Sequence, residues 1–482
     1  MIRRSPLASA VALSLALAAC ATPERPRTDI TRAQPLPPSF YTAPALGLAP
    51  EDWWARRLQD PSLARLVDAA LANAPDLAAA AARIEQSRAA LRASAAERQP
   101  LLNGNASVTY NRTASEQMGI QFPQGGNPGQ GPQIETDRIL YRAGLEGSWD
   151  ADLFGRLAAD QRAAAQRLTA TGFDAAAVRL TLITDVARNY FAARSAGARE
   201  AVARDTVASA RSTLSVATTR ARAGLVPGID RIRAEALVAE TEAQLAPFTG
   251  ERNARIAALA QLTGLPPAEI APLVTEALPP RPIETPAAGV PSDLLLRRPD
   301  IAAALARVAA ADEDTAAAIA ARYPRLSITA TIGLVASALT RLFTGDALGI
   351  VAGPQIAGPL FDGGRSRARV EQARAVTQEA VANYRGAVLR AFGEVETSLA
   401  AVEARRGERA ALARQLGAAR EAVEVARIQY RTGLTDFLGV LEAERTLNRV
   451  RGQIAAVEGE TADAEVALFR ALGGDFASGR QP

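Results

Sequence analysis

Two kinds of hydrophobic patterning divide the chain. The first has a period of two. From 140 to 150, Tyr141, Ala143, Leu145, Gly147 and Trp149 alternate with Arg142, Gly144, Glu146, Ser148 and Asp150. Further on, Ile328, Ala330, Ile332 and Leu334 alternate with Ser327, Thr329, Thr331 and Gly333. Successive side chains of a strand point to opposite faces, so each run predicts a strand with one apolar and one polar side. Residues 106–112 alternate more loosely, and a glycine-interrupted strand is predicted from Leu348 to Ile356 after a turn near Thr344-Gly345-Asp346. These make two β-hairpins, the first with a Gly/Pro/Gln loop over 117–133. Strands of about ten residues with an aromatic near one end suit a lipid face backed by a polar lumen. A small soluble hairpin has the same periodicity.

The second pattern is long, proline-free and rich in alanine and arginine. Arg156 to Gly224 reads as one helix of roughly 100 Å, several times the usual length of about 11–12 residues. Arg365 to Gly433 repeats it, and both copies end in Gly-Leu. Return helices are predicted from Asp230 to about Thr263 and from about Asp436 to Leu472. Pro247 predicts a kink or break in the first, and the second has no proline. Shorter helices are predicted up to about Asn73, opened by Trp53-Trp54 and Asp60-Pro61, then from Asp76 to Arg98 and from Asp300 to Arg322.

The two halves are copies. Arg156 with Arg365, Gly224 with Gly433 and Gly264 with Gly473 share an offset of 209. Asp76 with Asp300, Arg83 with Arg307 and Pro100 with Pro324 share an offset of 224. An insertion of 15 residues in the first hairpin loop reconciles them. Each half is therefore helix, β-hairpin, long helix, turn and return helix, a repeat that fixes the architecture before any single motif does. The expected segments are 51–100, 101–152 and 153–263 in the first half, a proline-rich connection at 264–291, then 292–323, 324–362 and 363–473, with a tail at 474–482. Four strands cannot close a membrane barrel, and open edges are not tolerated in lipid, so two or more chains are needed. The fold class expected is an α+β membrane protein, with Ala-rich helices continuing from the barrel as a coiled-coil-like sleeve.

The start of the chain adds an address. Residues 1–19 read as a signal peptide, with Arg3-Arg4 before an apolar core from Leu7 to Leu17. They end in Leu17-Ala18-Ala19-Cys20, a lipobox-like segment placing the chain's one cysteine where lipidation would occur. Ala21 rather than Asp in the next position fits an outer-membrane destination. Acyl lipid on Cys20 is the one covalent group expected; no cofactor or metal is. Residues 20–50 form a proline-rich tether.

Composition excludes more than it assigns. There is no histidine and no lysine, so all 55 basic residues are arginine and the net charge is +4. Histidine triads, zinc motifs, internal disulfides and a Walker phosphate loop are all excluded. No basic aromatic stripe suggests nucleic acid, and no carboxylate pair suggests an enzyme.

The chain resembles TolC-like outer-membrane efflux channels of the NodT-type lipoprotein branch. The segments that carry the resemblance are Leu17-Ala18-Ala19-Cys20, Trp149-Asp150-Ala151-Asp152-Leu153-Phe154-Gly155-Arg156, Arg222-Ala223-Gly224-Leu225, Arg297-Arg298-Pro299-Asp300, Pro359-Leu360-Phe361-Asp362-Gly363-Gly364-Arg365 and Tyr430-Arg431-Thr432-Gly433-Leu434. The resemblance implies a homotrimer in outer-membrane lipid, a 12-stranded β-barrel continued by a 12-helix periplasmic α-barrel, and partnership with a periplasmic membrane-fusion adaptor and an inner-membrane RND-type pump. It further implies a periplasmic gate with Leu438 as an apolar ring and Glu442 as an acidic one. Gly439 stands where one relative has a second acid. In the repeat, Glu442 corresponds to Arg233, which suggests a Glu442–Arg233 contact closing the tips; pairing of Glu442 with Arg445 is the plainer expectation. The turns Arg222, Gly224, Leu225 and Arg431, Gly433, Leu434 are expected to be adaptor-docking tips. The other reading is a periplasmic coiled-coil adaptor or structural lipoprotein without a pore.

Overall fold

The computed structural model describes residues 26–28, 37, 40–41, 60–112, 137–275 and 297–474. The signal peptide, Cys20, most of the tether, Trp53-Trp54 and the 117–133 loop lie outside the described residues. In chain order the elements are helices α1 (Pro61–Asn73) and α2 (Pro75–Ala96), strands β1 (Leu101–Arg112) and β2 (Asp137–Asp150), helices α3 (Arg156–Arg222), α4 (Gly228–Ala243), α5 (Leu245–Thr263), α6 (Pro267–Ile270) and α7 (Pro299–Ala320), strands β3 (Arg325–Ala336) and β4 (Leu348–Ala357), and helices α8 (Arg365–Thr432) and α9 (Phe437–Ala471). The long helices are unbroken over 67 and 68 residues. The repeat extends to backbone conformation: Gly155 and Gly364, Gly224 and Gly433, and Gly264 and Gly473 all have positive φ. Only glycine adopts that region without strain, so these pairs mark where each helix must start or stop.

The first return helix is broken. Helix α4 ends at Ala243, Gln244 forms a single turn residue, and α5 starts at Leu245. Pro247 has no N–H for the Ala243 carbonyl, which ends the ladder there. Its repeat counterpart is Ala456, and α9 runs through without interruption.

The chain divides into two compact units. The first, built mainly from Gln86–Leu168 and Ala306–Ala380, contains the sheet. Its four strands are antiparallel in the order β1-β2-β3-β4. Register places Leu102, Val108 and Tyr110 of β1 on the same face as Ile139, Tyr141, Leu145 and Trp149 of β2. Ile328, Ile332 and Leu334 of β3, and Leu348, Ile350 and Ile356 of β4, continue that face. The other face carries Asn103, Asn105, Ser107, Arg142, Glu146, Ser148, Ser327, Thr329, Thr331 and Gln355, with Leu140, Val335 and Val351 among them. Among the described residues this face stays largely open: Val108, Ile350 and Ile356 are each more than half exposed. Beside the sheet, Trp149 Nε1 donates to the Arg98 carbonyl at 3.0 Å, and Phe154 stacks on Tyr323 with centroids 4.7 Å apart. The Asp152 carboxylate accepts from the Leu157 and Ala158 amides at 2.9 and 2.8 Å, capping α3. Asp362 caps α8 through the Ser366 amide at 2.8 Å. Ala159, Ala316 and Ala317 form a small-residue seam between α3 and α7, spanned by Arg162–Glu313 at 2.9 Å.

The second unit is built from Asp29–Glu85, Thr169–Leu305 and Val381–Pro482. Its largest cluster includes Leu63, Leu66, Tyr190, Ile256, Leu259, Ile270 and Phe469. Asp60 caps α1 by accepting from the Ser62 amide at 3.0 Å. Its second oxygen accepts from the Tyr190 hydroxyl and from Arg194 Nη1, both at 2.7 Å. Burial first, and then the Asp60 carboxylate, push the Tyr190 phenol well above its usual value. Arg298 anchors the start of α7. It grips Asp300 through two bonds of 3.0 and 2.8 Å, reaches Glu394 of α8 at 2.7 Å and donates to the Ala471 carbonyl of α9 at 3.0 Å. Gly473 sits against this knot, where any Cβ would overlap the Arg297 carbonyl.

Candidate functional site: two glycine turns and their helix tips

The last turns of α3 and α8 close in the same way. At the first, the Leu225 amide donates to the Arg220 carbonyl and the Gly224 amide to the Ala221 carbonyl, both at 3.0 Å. At the second, the Leu434 amide donates to Gln429 at 2.8 Å and the Gly433 amide to Tyr430 at 3.1 Å. Both are Schellman caps, with glycine supplying the left-handed residue. Such a cap is often accompanied by an apolar contact between the residue after the glycine and the last helical turn. Here that partner position is Arg220 or Gln429, and the two leucines point outward, 68% and 80% exposed. Arg222 and Arg431 are exposed beside them.

The two turns are tied together. The Arg220 guanidinium lies 4.6 Å above the Tyr430 ring and donates to the Tyr430 carbonyl. Tyr430 meets Phe437, at the start of α9, with centroids 5.4 Å apart. Ala210, Ala217, Ala234, Leu237, Val440 and Leu441 complete this small core. Burial, reinforced by the nearby Asp230 carboxylate, raises the Tyr430 phenol above its usual value. A cleft of about 280 Å³ opens beside it, lined by Ser212, Thr213, Val216, Arg427, Tyr430, Arg431 and Phe437 among others.

The proposed gate residues fall on the exposed side of the return helices. Leu438 is 44% exposed, and Glu442 and Arg233 are exposed as well. Within one chain, neither the expected Glu442–Arg233 contact nor the Glu442–Arg445 pair occurs among the described residues. Arg445 instead bonds Glu240 of α4 at 2.8 Å, and among the described residues neither Glu442 nor Arg233 has an ionic partner. The physical reason is phase: Phe437, Val440, Leu441 and Leu447 turn inward, which leaves 438 and 442 on the opposite face.

A buried acid that links three helices here is Glu444, only 3% exposed. It accepts from Arg427 Nη2 at 2.8 Å and from the Thr213 hydroxyl at 2.8 Å, while Arg427 also donates to Ser209 at 2.7 Å. Helices α3, α8 and α9 therefore meet at one buried carboxylate. Sequence reasoning missed it, although Glu444 lies in the heptad-like stripe of Phe437, Val440, Leu441 and Leu447, where an acid needs a buried partner.

No group of three or more metal-ligating side chains occurs among the described residues, and no described helix is long and apolar enough to cross a membrane. The sequence profile described as "Outer membrane efflux protein" matches residues 66–265 and 290–474, most of the chain.

The chain belongs to the outer membrane efflux protein family.

It is similar to outer membrane protein OprJ of Pseudomonas aeruginosa, with 34% identity covering 98% of this chain and 96% of that one. It is similar to the pyoverdine export outer membrane protein OpmQ of Pseudomonas putida, with 32% identity covering 96% of each. Among solved structures, the outer-membrane channel OprN superposes with a TM-score of 0.79 at 30% identity, covering 94% of this chain and 97% of that one. The efflux protein is an outer-membrane exit duct with a periplasmic extension, and the pore-less periplasmic reading is not favoured.

Proposed function

We propose that the exit duct is a homotrimer whose three four-stranded sheets close a 12-stranded barrel in outer-membrane lipid, continued by a 12-helix periplasmic tunnel. The observation that carries this reading is the sheet: one apolar face runs unbroken across four strands, and among the described residues β1 and β4 each pair on one side only. Unpaired backbone groups are costly in lipid, so copies must pair edge to edge. The duct is passive. It has no enzymatic role, and energy comes from an inner-membrane RND-type pump joined through a periplasmic adaptor. The adaptor docks on the two glycine turns, where Leu225 and Leu434 offer apolar side chains and Arg222 and Arg431 offer charge. Acyl lipid on Cys20 tethers the N-terminus. Leu438 and Glu442 narrow the periplasmic end, with Arg233 an unpaired cation on the first return helix.

Reconstitution in planar bilayers tests this. The purified protein should migrate as an SDS-resistant, heat-modifiable oligomer of three chains and conduct. Glu442→Ala should raise conductance and weaken cation preference. A monomer without conductance overturns the duct assembly, and unchanged selectivity removes Glu442 from the gate.

A further inference from the structure

The repeat gives each helix beside the sheet a counterpart, and the counterparts are not equally covered. Helices α3 and α7 pack together inside the chain. Ala159 and Ala163 of α3, with Ala316 and Ala317 of α7, are at most 7% exposed, and Arg162 pairs with Glu313 between the two helices. The offset of 209 carries Ala159, Arg162 and Ala163 to Ala368, Glu371 and Gln372 of α8. The offset of 224 carries Ala316 and Ala317 back to Arg92 and Ala93 of α2. All of these counterparts are exposed. Helix α8 is held to α7 where Thr377 meets Thr315 at 3.1 Å, and Arg98, just after α2, donates to Gln161 of α3 at 2.8 Å. Neither contact covers the matched faces. Helix α2 leads into β1 and α8 leaves β4, and these are the strands that pair on one side only among the described residues.

The charges on the open faces are inverted. In the seam within the chain the cations lie on α3 and the acids on α7, as Arg162–Glu313 and Arg167–Asp314. On the open faces Glu371 of α8 stands where α3 has Arg162. Helix α2 has Arg88 and Arg92 where α7 has Asp312 and Ala316. The partner of Glu371 within the chain is Arg367, one turn back at 2.9 Å, with both side chains more than half exposed. Arg92 has no ionic partner among the described residues.

We propose that the open face of α8 in one copy of the chain seats on α2 of the next copy, with Glu371 paired to Arg92, as a charge-inverted version of the α3–α7 seam. The inversion selects the neighbour. An α8 face placed on α7 sets Glu371 against Glu313 and Asp314, and an α3 face placed on α2 sets Arg162 against Arg92. Only the α8–α2 match between copies brings opposite charges together, so the chain favours joining its own copies in one order. This seam rests on the trimeric exit-duct reading and adds the helix surfaces that join the copies.

Cysteine cross-linking tests it, with the parent chain as control for the one native cysteine, Cys20. Oxidation of the Ala93→Cys, Ala368→Cys double variant should give reducible dimer and trimer bands on denaturing gels, while each single variant stays monomeric. Ala159→Cys with Ala317→Cys, across the seam within the chain, should link without any gain in mass. Glu371→Arg alone and Arg92→Glu alone should each lower the SDS-resistant oligomer about threefold or more, and the double swap should restore it. A conducting trimer in which positions 93 and 368 do not link, or link only within a chain, overturns the seam and leaves the duct standing. Single swaps without effect, or a double swap that restores nothing, overturn the Glu371–Arg92 pairing. If the cysteine variant does not assemble, the charge swap decides. A wild-type chain that forms no trimer removes the duct reading, and the seam with it.

Discussion

The two units handle apolar surface in opposite ways. The second buries it: Leu66, Leu259 and Ile270 are fully enclosed, and its charged groups are drawn inward with partners, as Arg298 and the Asp60–Arg194–Tyr190 set show. The first displays it, on a sheet whose branched and aromatic side chains face outward and whose outer strands, among the described residues, each pair on one side only. One unit carries its own core, and the other needs a solvent that is not water. The difference identifies which mutations are felt by the chain itself and which only by its assembly.

The largest effect is expected in the enclosed unit. Arg298→Ala leaves Asp300 and Glu394 without their cation and strips a donor from the Ala471 carbonyl. Arg298 is buried while its two acids are about half exposed, so the loss falls toward the lower end of the about 3–5 kcal/mol of a fully buried pair. The variant should lose protease resistance and unfold at clearly lower denaturant; wild-type behaviour would show that the knot is dispensable.

A charge on the sheet comes next. Ile332→Arg, on the apolar face, should cost about 2–4 kcal/mol at mid-membrane and reduce the outer-membrane oligomer. Thr331→Arg, one residue along on the opposite face, should leave the oligomer in place and change conductance. Equal loss from both would mean that the faces are not solvated differently, and the contrast between units would fail.

The smallest effect is one of pH. Burial alone would raise the Asp300 carboxyl, but the Arg298 guanidinium outweighs it and holds the group below its usual value. A depressed acid adds stability that is complete above its unfolded value, near 3.9, and that is lost as pH falls through the lower folded value. Asp300→Asn should flatten acid unfolding below about pH 4, a modest change because Asp300 is part exposed. An unaltered acid profile would assign that sensitivity elsewhere.

Most of the fold was legible because repetition exposed it. Positive-φ glycines at Gly224, Gly264, Gly433 and Gly473 are backbone requirements, and a fixed offset reveals them without knowledge of packing. The strands were legible where polar and apolar positions alternate, in β2 and β3, and less so in β1, where Leu101 and Leu102 adjoin. The site was harder. Charge contacts depend on rotation of one helix against another, so a sequence offset that relates Glu442 to Arg233 does not bring them together within one chain. Glu444 acts two residues further on because the apolar stripe of α9 turns it inward, where Arg427 and Thr213 converge. Pro247 was readable as a break; the Ser195 hydroxyl donating to the Ala455 carbonyl of α9 at 3.2 Å was not, since that contact lies between segments far apart in the chain.

The ladder between β2 and β3 joins Asp150 to Ser327 and Tyr141 to Ala336, one strand from each half of the chain. Contacts this distant in sequence form slowly, because a large loop must close first. The helices on either side need only local bonds and can form earlier. Biogenesis is therefore expected to run from the helices toward the sheet: the hairpins wait as separate ribbons until both halves have been synthesised, and the membrane-facing surface is completed last, when it can be handed directly to lipid.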